Sequence, residues 1–324
     1  MNKPKVIVTR HWPVEVETRL KELYDVQLNE SDVPLSADEL KHALQTADAV
    51  LTTVTDPITA DVLNVSNKRA RIIGQFGVGY NNIDIQTAKA QGLTVTNTPH
   101  VLDDCTADIA MLLLLMSARR ASEAERMVRA GQWTGWTPTQ LLGQKVTGKT
   151  LGLIGFGRIA QAMAKKAHHG FGMNILFYVP RSTPEQHIVD DLQAVRCASI
   201  EDLLAQSDFV SLHCPGGEAT KHLINETRLK LMRPTAHLIN TARGDVVDSD
   251  ALIKALKEGW IAGAGLDVYE GEPHLNPAFL NIDNVALLPH LGSASHETRT
   301  AMGNRVLANI GEFFAGKEPH DRVV

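Results

Sequence analysis

One stretch near the middle of the chain constrains the fold more than any other: Leu151-Gly-Leu-Ile-Gly-Phe-Gly-Arg-Ile-Ala160. Residues 151–154 are an apolar run that reads as a buried strand. Residues 158–168 carry helix formers, with apolar positions at Ile159, Met163 and Ala167 on one helical face. Gly155-Phe-Gly157 lies between, so the order is strand, glycine turn, helix. Gly155 permits the tight turn, Gly157 lets backbone approach a pyrophosphate, and Ala160 keeps the helix close to the strand. The N–H groups and positive end of the helix then face the anion. A bare turn can show the same glycine spacing. Here strand and helix flank it, and the stretch reads as a dinucleotide site.

The rest of the chain supplies the sheets such a turn needs. Before it, residues 6–8, 26–28, 49–51, 71–73 and 93–95 read as strands, and residues 14–23, 37–45, 60–63 and 83–91 as helices. After it, strands are expected at 175–178, 209–212, 237–239, 263–268 and 285–288, and helices at 200–206, 226–232 and 251–258. Alternation of this kind predicts an α/β protein with parallel sheets. The glycine-rich break 74–84 either turns the chain or exposes N–H groups to an anion. Residues 106–120 form a helix apolar on nearly all sides, to be buried between domains or against a second subunit. Residues 129–149 lack periodicity but hold Trp133 and Trp136, which suits an interface arm or plain core packing. A final helix is expected over 293–314. With 324 residues, two domains are expected.

Composition narrows the partners. A net charge of −5, from 32 basic and 37 acidic residues, gives no basic footprint for nucleic acid. The longest apolar run, 109–116, is too short for a membrane span, and the start of the chain has no signal-peptide architecture. The 3 cysteines, Cys105, Cys197 and Cys214, are scattered, which argues against a disulfide framework or a metal site. Free thiols in a cytoplasmic protein are expected.

Three segments follow strands of the second series: Asn240-Thr-Ala-Arg-Gly-Asp245, Asp267-Val-Tyr-Glu-Gly-Glu-Pro273 and Pro289-His-Leu-Gly-Ser293. Arg243, Glu272 and His290 therefore lie beyond the carboxyl ends of parallel strands, the ligand-binding edge of such sheets. Arginine offers a planar fork for a carboxylate, and a histidine beside a carboxylate is a proton donor. Singly, each has an ordinary reading as an ion-pair partner, a solvated charge and a satisfied core histidine. Together, at one edge of a nucleotide fold, they form a candidate catalytic set.

These segments, with Phe76-Gly-Val-Gly-Tyr-Asn-Asn-Ile-Asp84, resemble the signature blocks of the D-isomer-specific 2-hydroxyacid dehydrogenases in order along essentially the whole chain. Gly131-Gln-Trp-Thr-Gly-Trp-Thr-Pro138 and Leu287-Leu-Pro-His-Leu-Gly-Ser-Ala294 look most like the glyoxylate/hydroxypyruvate reductase branch. The resemblance implies two doubly wound domains with the active site in the cleft between them. A flavodoxin-like substrate domain would span 1–98 plus 293–324, and a Rossmann-type cofactor domain 99–292. It implies hydride transfer to a 2-oxo acid, Arg243 holding the carboxylate and carbonyl oxygen, His290 giving its proton to the alkoxide, and Glu272 keeping that imidazole charged. Val78 and Gly79 would grip the carboxylate through backbone N–H groups, and Trp136 would enter a neighbouring subunit's site in a homodimer. Cofactor contacts would come from Gly155, Phe156, Gly157, Arg158 and Ile159 at the turn, and from Thr106, Pro215, Thr241, Ala242, Asp267 and His290. Asp267 would face the nicotinamide amide. Two positions depart from the commonest pattern: Ala160 replaces a third glycine, and Asn81 stands where Asp is frequent.

An NAD enzyme needs an acidic residue at the end of the second strand, to accept from the ribose 2′-OH. That position falls at Val179, 179 − 155 = 24 residues after Gly155. Val179 removes the repulsion a 2′-phosphate would meet, and Arg181 with Ser182 can bind it; Arg181 as a solvated loop residue is the alternative. The expectation is an NADP(H)-preferring reductase of glyoxylate or hydroxypyruvate, with NAD(H) possible. The rivals are an NAD-dependent relative of the D-lactate or phosphoglycerate type and a nucleotide-sensing corepressor-like protein. A formate dehydrogenase fits less well, because that branch has glutamine in the place of Glu272.

Overall fold

The structure is a computed structural model that describes residues 3–181 and 184–324. In chain order its elements are β1 (Lys5–Val8), α1 (Val14–Leu23), β2 (Asp25–Leu28), α2 (Ala37–Thr46), β3 (Ala49–Thr53), α3 (Ala60–Leu63), β4 (Ile72–Phe76), α4 (Ile85–Ala90) and β5 (Thr94–Thr96). Then come α5 (Asp103–Ala118), α6 (Ala121–Arg129), β6 (Thr150–Ile154), α7 (Arg158–Phe171), β7 (Asn174–Tyr178), α8 (Gln186–Asp191), β8 (Val195–Arg196), α9 (Ile200–Gln206) and β9 (Phe209–Leu212). The chain closes with α10 (Glu226–Leu229), β10 (His237–Asn240), α11 (Ser249–Glu258), β11 (Gly263–Leu266), β12 (Val285–Leu287) and α12 (His296–Phe314). Two compact units result: the chain through Leu102 with Ser293–Val324, and Asp103–Gly292.

The first unit holds a parallel sheet in the order β2-β1-β3-β4-β5, the flavodoxin-like arrangement. Helices cover both faces, so its central strands are buried almost throughout rather than alternating. On one face Leu40, Leu44, Val50, Leu63 and Ile73 form the core. On the other, α12 packs on β4, where a Cβ at Gly74 would lie 2.6 Å from Val306 Cγ1 and 2.9 Å from Leu51 Cδ2. That contact corrects the expected break at Gly74: β4 runs on to Phe76, and this glycine serves helix packing rather than a turn. The last residues also dock on this sheet, through Val323 N–H to Val95 O at 2.7 Å and an antiparallel bridge between Thr96 and Arg322.

The second unit holds seven parallel strands in the order β12-β11-β10-β9-β6-β7-β8. Counted from β6, its first six strands have the Rossmann order, with β12 added at one edge. The strand order reverses between β6 and β9, and the Gly155 turn lies at that switch point. Gly155 has φ +91°, and a Cβ there would meet His213 O at 2.7 Å and Cys214 N at 2.9 Å. Only glycine fits this conformation and approach. One face is filled by Leu113, Leu114, Met163, Phe177 and Phe209, the other by Leu203, Leu238, Leu252, Leu266 and Phe279.

The long apolar helix ends at Ala118 rather than at 120, because Arg120 turns left-handed at φ 53° and starts α6. Helix α12 begins at His296, not 293: Ser295 caps it by accepting from Thr298 N. Cys197 is buried and Cys105 and Cys214 half-buried, and all three are free. Among the described residues no helix is long and apolar enough to cross a membrane, and no group of three or more His, Cys, Asp or Glu is placed to hold a metal ion.

Candidate active site

In the second unit the carboxyl edge of the sheet gathers the residues expected to carry chemistry. The chain leaves β11 at Asp267, whose carbonyl accepts from His290 N–H at 2.9 Å. The Asp267 carboxylate accepts from the N–H groups of Leu291 and Gly292, at 2.6 and 2.8 Å. Two strand ends are thereby stitched into one loop cluster. Burial pushes the Asp267 carboxyl above its ordinary value. His290 has φ 56°, a left-handed conformation unusual for a side-chain-bearing residue. The bonds to Asp267 hold the segment in that form.

Within this cluster His290 Nδ1 donates to Glu272 Oε2 at 2.8 Å, and Glu272 Oε1 accepts from Tyr269 N–H at 2.7 Å. Burial raises the Glu272 carboxyl, but the bond and charge of His290, the Tyr269 N–H and the Arg243 charge outweigh it. The net position is below the ordinary carboxylate value. Arg243 is largely desolvated, which pulls its guanidinium down against the charges of Glu272 and Asp245. Its loop is fixed by Asn240, which is 1% exposed. The Asn240 side chain donates to Arg243 O at 2.8 Å and accepts from Ala242 N–H at 3.0 Å. The structure thus brings Glu272 and His290 into contact and places the Arg243 charge within their field.

The cofactor candidates line the same edge. Phe156 is buried and stacks on Phe177 at 4.2 Å between centroids, so only its backbone is left to a ligand. Arg158 heads α7 and pairs with Asp103 at 3.0 Å, with Ile159 half-buried beside it. Gly157 has φ −75°, which any residue adopts, and a Cβ there would meet nothing within 4 Å. Protein packing therefore does not require glycine at 157, whereas a bound pyrophosphate would. Thr241 Oγ1 is buried with no hydrogen-bond partner among the described residues, next to buried Ala242. Thr106 packs against Gly292, and Pro215 follows β9 across the switch point. An open cradle and an orphaned hydroxyl fit a dinucleotide. Val179 is buried and Arg181 exposed at the end of β7; Ser182 lies outside the described residues.

In the first unit, Val78 and Gly79 follow β4. Asn97 Nδ2 donates to Val78 O at 2.8 Å, and Gln75 Nε2 to Gly79 O at 3.2 Å. With both carbonyls held by side-chain amides, the two N–H groups have no acceptor among the described residues. Gln75 is itself fixed by Thr52 Oγ1 at 2.7 Å and by Asn82 at 2.8 Å. Sequence reasoning missed these amides, and it missed a second pair, His222 Nε2 with Glu270 Oε1 at 2.8 Å. Trp136 is 79% exposed on the irregular arm after α6, so the core-packing alternative does not hold for it.

The model of the D-isomer specific 2-hydroxyacid dehydrogenase NAD-binding domain matches residues 111–292. The chain belongs to this family. A glyoxylate reductase of Thermococcus litoralis is 46% identical over 99% of this chain and 97% of its own length. A crystal structure of a D-isomer specific 2-hydroxyacid dehydrogenase from Polaromonas superposes with TM-score 0.92 at 36% identity, covering 99% of this chain and 100% of that one. The NADPH-dependent glyoxylate/hydroxypyruvate reductase of Sinorhizobium meliloti, solved with NADP and malonate, gives TM-score 0.86 at 32% identity over 100% and 97% of the two chains. The chain is an NAD(P)-dependent oxidoreductase of the 2-hydroxy acid class.

Proposed function

We propose that the chain is an NADPH-preferring reductase of small 2-oxo acids, converting glyoxylate to glycolate and hydroxypyruvate to D-glycerate, as a cytoplasmic homodimer. The observation that carries it is the His290–Glu272 contact of 2.8 Å beside the desolvated Arg243, at the carboxyl edge of a dinucleotide fold. The identities of relatives named as glyoxylate reductases support the substrate class.

Reduction places negative charge on the former carbonyl oxygen, so a proton donor must stand ready. His290 Nδ1 is engaged by Glu272, leaving Nε2 to deliver the proton. Glu272, by accepting from Nδ1, fixes the orientation of the ring. Arg243 would hold the substrate carboxylate through a two-point contact, and the N–H groups of Val78 and Gly79 would serve as anion donors of the first unit. The cofactor would supply the hydride, its pyrophosphate at the Gly155–Ile159 turn and its nicotinamide amide at Asp267. Trp136, exposed in one chain, would close a partner's site.

Steady-state turnover of glyoxylate, hydroxypyruvate, pyruvate and 3-phosphohydroxypyruvate, each with NADPH and NADH, tests the proposal. The highest kcat/KM should fall on the first two with NADPH. Absence of turnover on any 2-oxo acid, with tight nucleotide binding, would favour the nucleotide-sensing reading instead.

A further inference from the structure

The end of β7 carries a cation that the glycine motif does not point to. Strand β8 is only Val195–Arg196, paired with β7 so that Arg196 lies opposite Phe177. From there the Arg196 side chain reaches forward, and Nη2 donates to the carbonyl of Val179 at 2.9 Å. Val179 is the residue at which a ribose-binding acid would stand. Guanidinium has five N–H donors, and this bond uses one; among the described residues Arg196 makes no ion pair. Arg181, two residues beyond Val179, is exposed and also makes no ion pair among them.

The acids between Arg181 and Arg196 in sequence are engaged elsewhere. Glu185 faces His187 at 3.4 Å, Asp190 accepts from Gln186 at 2.8 Å, and Asp191 faces His169 at 3.5 Å. Two arginines at one strand end, with the acids between them in sequence turned to other partners, leave a positive field there. A buried valine in the acid's place adds no negative charge.

We infer that Arg196 is a second cation for the 2′-phosphate of NADPH, a specificity-determining residue acting with Arg181. The inference rests on the proposed NADPH preference and extends it to a residue on the neighbouring strand. A planar guanidinium matches a phosphomonoester with paired N–H bonds. Its bond to the Val179 carbonyl holds the head at the place where the 2′ substituent arrives.

Dissociation constants for NADPH and NADH, read by nucleotide fluorescence on the full chain, test it with Arg196→Gln and Arg181→Ala. Glutamine keeps a polar amide on a shorter stem and carries no charge. Arg196→Gln should weaken NADPH tenfold or more and NADH less than about twofold. Adenosine 2′-monophosphate should lose its advantage over the 5′-monophosphate as a competitor. If the unmodified chain binds both cofactors equally, the NADPH reading itself fails. If it prefers NADPH and Arg196→Gln keeps that ratio, or weakens both cofactors alike, Arg196 is a strand-end brace and the inference is overturned while the NADPH reading stands.

Discussion

At the scale of single residues, what separates His290 from its neighbours is what its ring touches. His213 and His237 are pushed down to about 4 by burial. Their nearest polar atoms are neutral, Ser211 and Met163 for the first and Ser117 for the second. Neither can hold a proton at neutral pH. His290 alone of the three meets a carboxylate, and that carboxylate sits below its ordinary value. A depressed carboxyl contributes fully above its unfolded value and loses that contribution only as pH falls through the lower folded value. Reductive kcat should therefore hold from neutrality down to about pH 4.3, the ordinary glutamate value, and fall below it. Stopped-flow reduction across pH 4–8, with circular dichroism to confirm the fold, checks this. An acid limb near pH 6 on folded protein would show that Glu272 is not the ionised partner. His290→Ala should lower kcat roughly a hundredfold or more, the scale of lost general acid catalysis.

At the scale of elements, the two glycines of the central turn do different work. Gly155 answers to the protein: φ +91° and a cross-strand backbone under 3 Å from any Cβ. Gly155→Ala should cost about 1–3 kcal/mol of stability through strain. Gly157 answers only to a ligand, so Gly157→Ala should leave the melting temperature of the cofactor-free protein within about 2 °C, a surface-type change, while weakening NADPH at least tenfold. Differential scanning calorimetry with binding titrations separates the two; equal destabilisation by both would remove the pyrophosphate argument. The turn was legible in sequence because glycine spacing and apolar runs are local signals. The strand ends bearing Arg243, Glu272 and His290 were legible for the same reason. Strand β8 was not, since two exposed residues carry no period, nor was α8, a short helix whose only apolar residues are the adjacent Ile188 and Val189. The amides of Gln75 and Asn97 were also hidden. Their role depends on which carbonyls the fold brings to them, and Asn97 lies 19 residues from Val78 in sequence.

Helix α12 and the residues after it show how a distant stretch of chain is tied into the first unit. Asp321 accepts from Arg305 at 2.6 and 2.7 Å and from Asn309 at 3.0 Å. Burial raises its carboxyl, but these partners outweigh the burial and hold it below the ordinary 3.8. The stabilisation is present above that value and lost as pH falls through the lower folded one. Asp321→Asn should therefore cost roughly 1.5–3 kcal/mol at pH 7, as lost charge-assisted bonds do. The deficit should shrink as pH drops below 3.8. Urea melts of both forms at pH 7 and pH 3 measure it, and a deficit independent of pH would assign the loss to packing.

For the whole molecule the unfinished surface is apolar. Trp136 is 79% exposed, Trp133 55%, Leu142 67% and Leu112 43%. The first three lie along the arm after α6, and Leu112 lies on α5, a helix whose other large side chains are buried or half-buried. Tryptophans on an irregular arm are poor companions for water and good anchors for a protein partner. In the proposed homodimer a second copy of the chain would cover them, and Trp136 would reach the partner's site. Sedimentation equilibrium should give a dimer. A Trp133→Ala/Leu142→Ala double variant should weaken it at least tenfold, since loss of a buried anchor costs about 2 kcal/mol or more. Trp136→Ala should instead keep the dimer and the NADPH affinity while raising KM for glyoxylate relative to longer 2-oxo acids. A monomer at working concentrations with full activity would show that one chain is complete by itself and that Trp136 serves no site but its own surface.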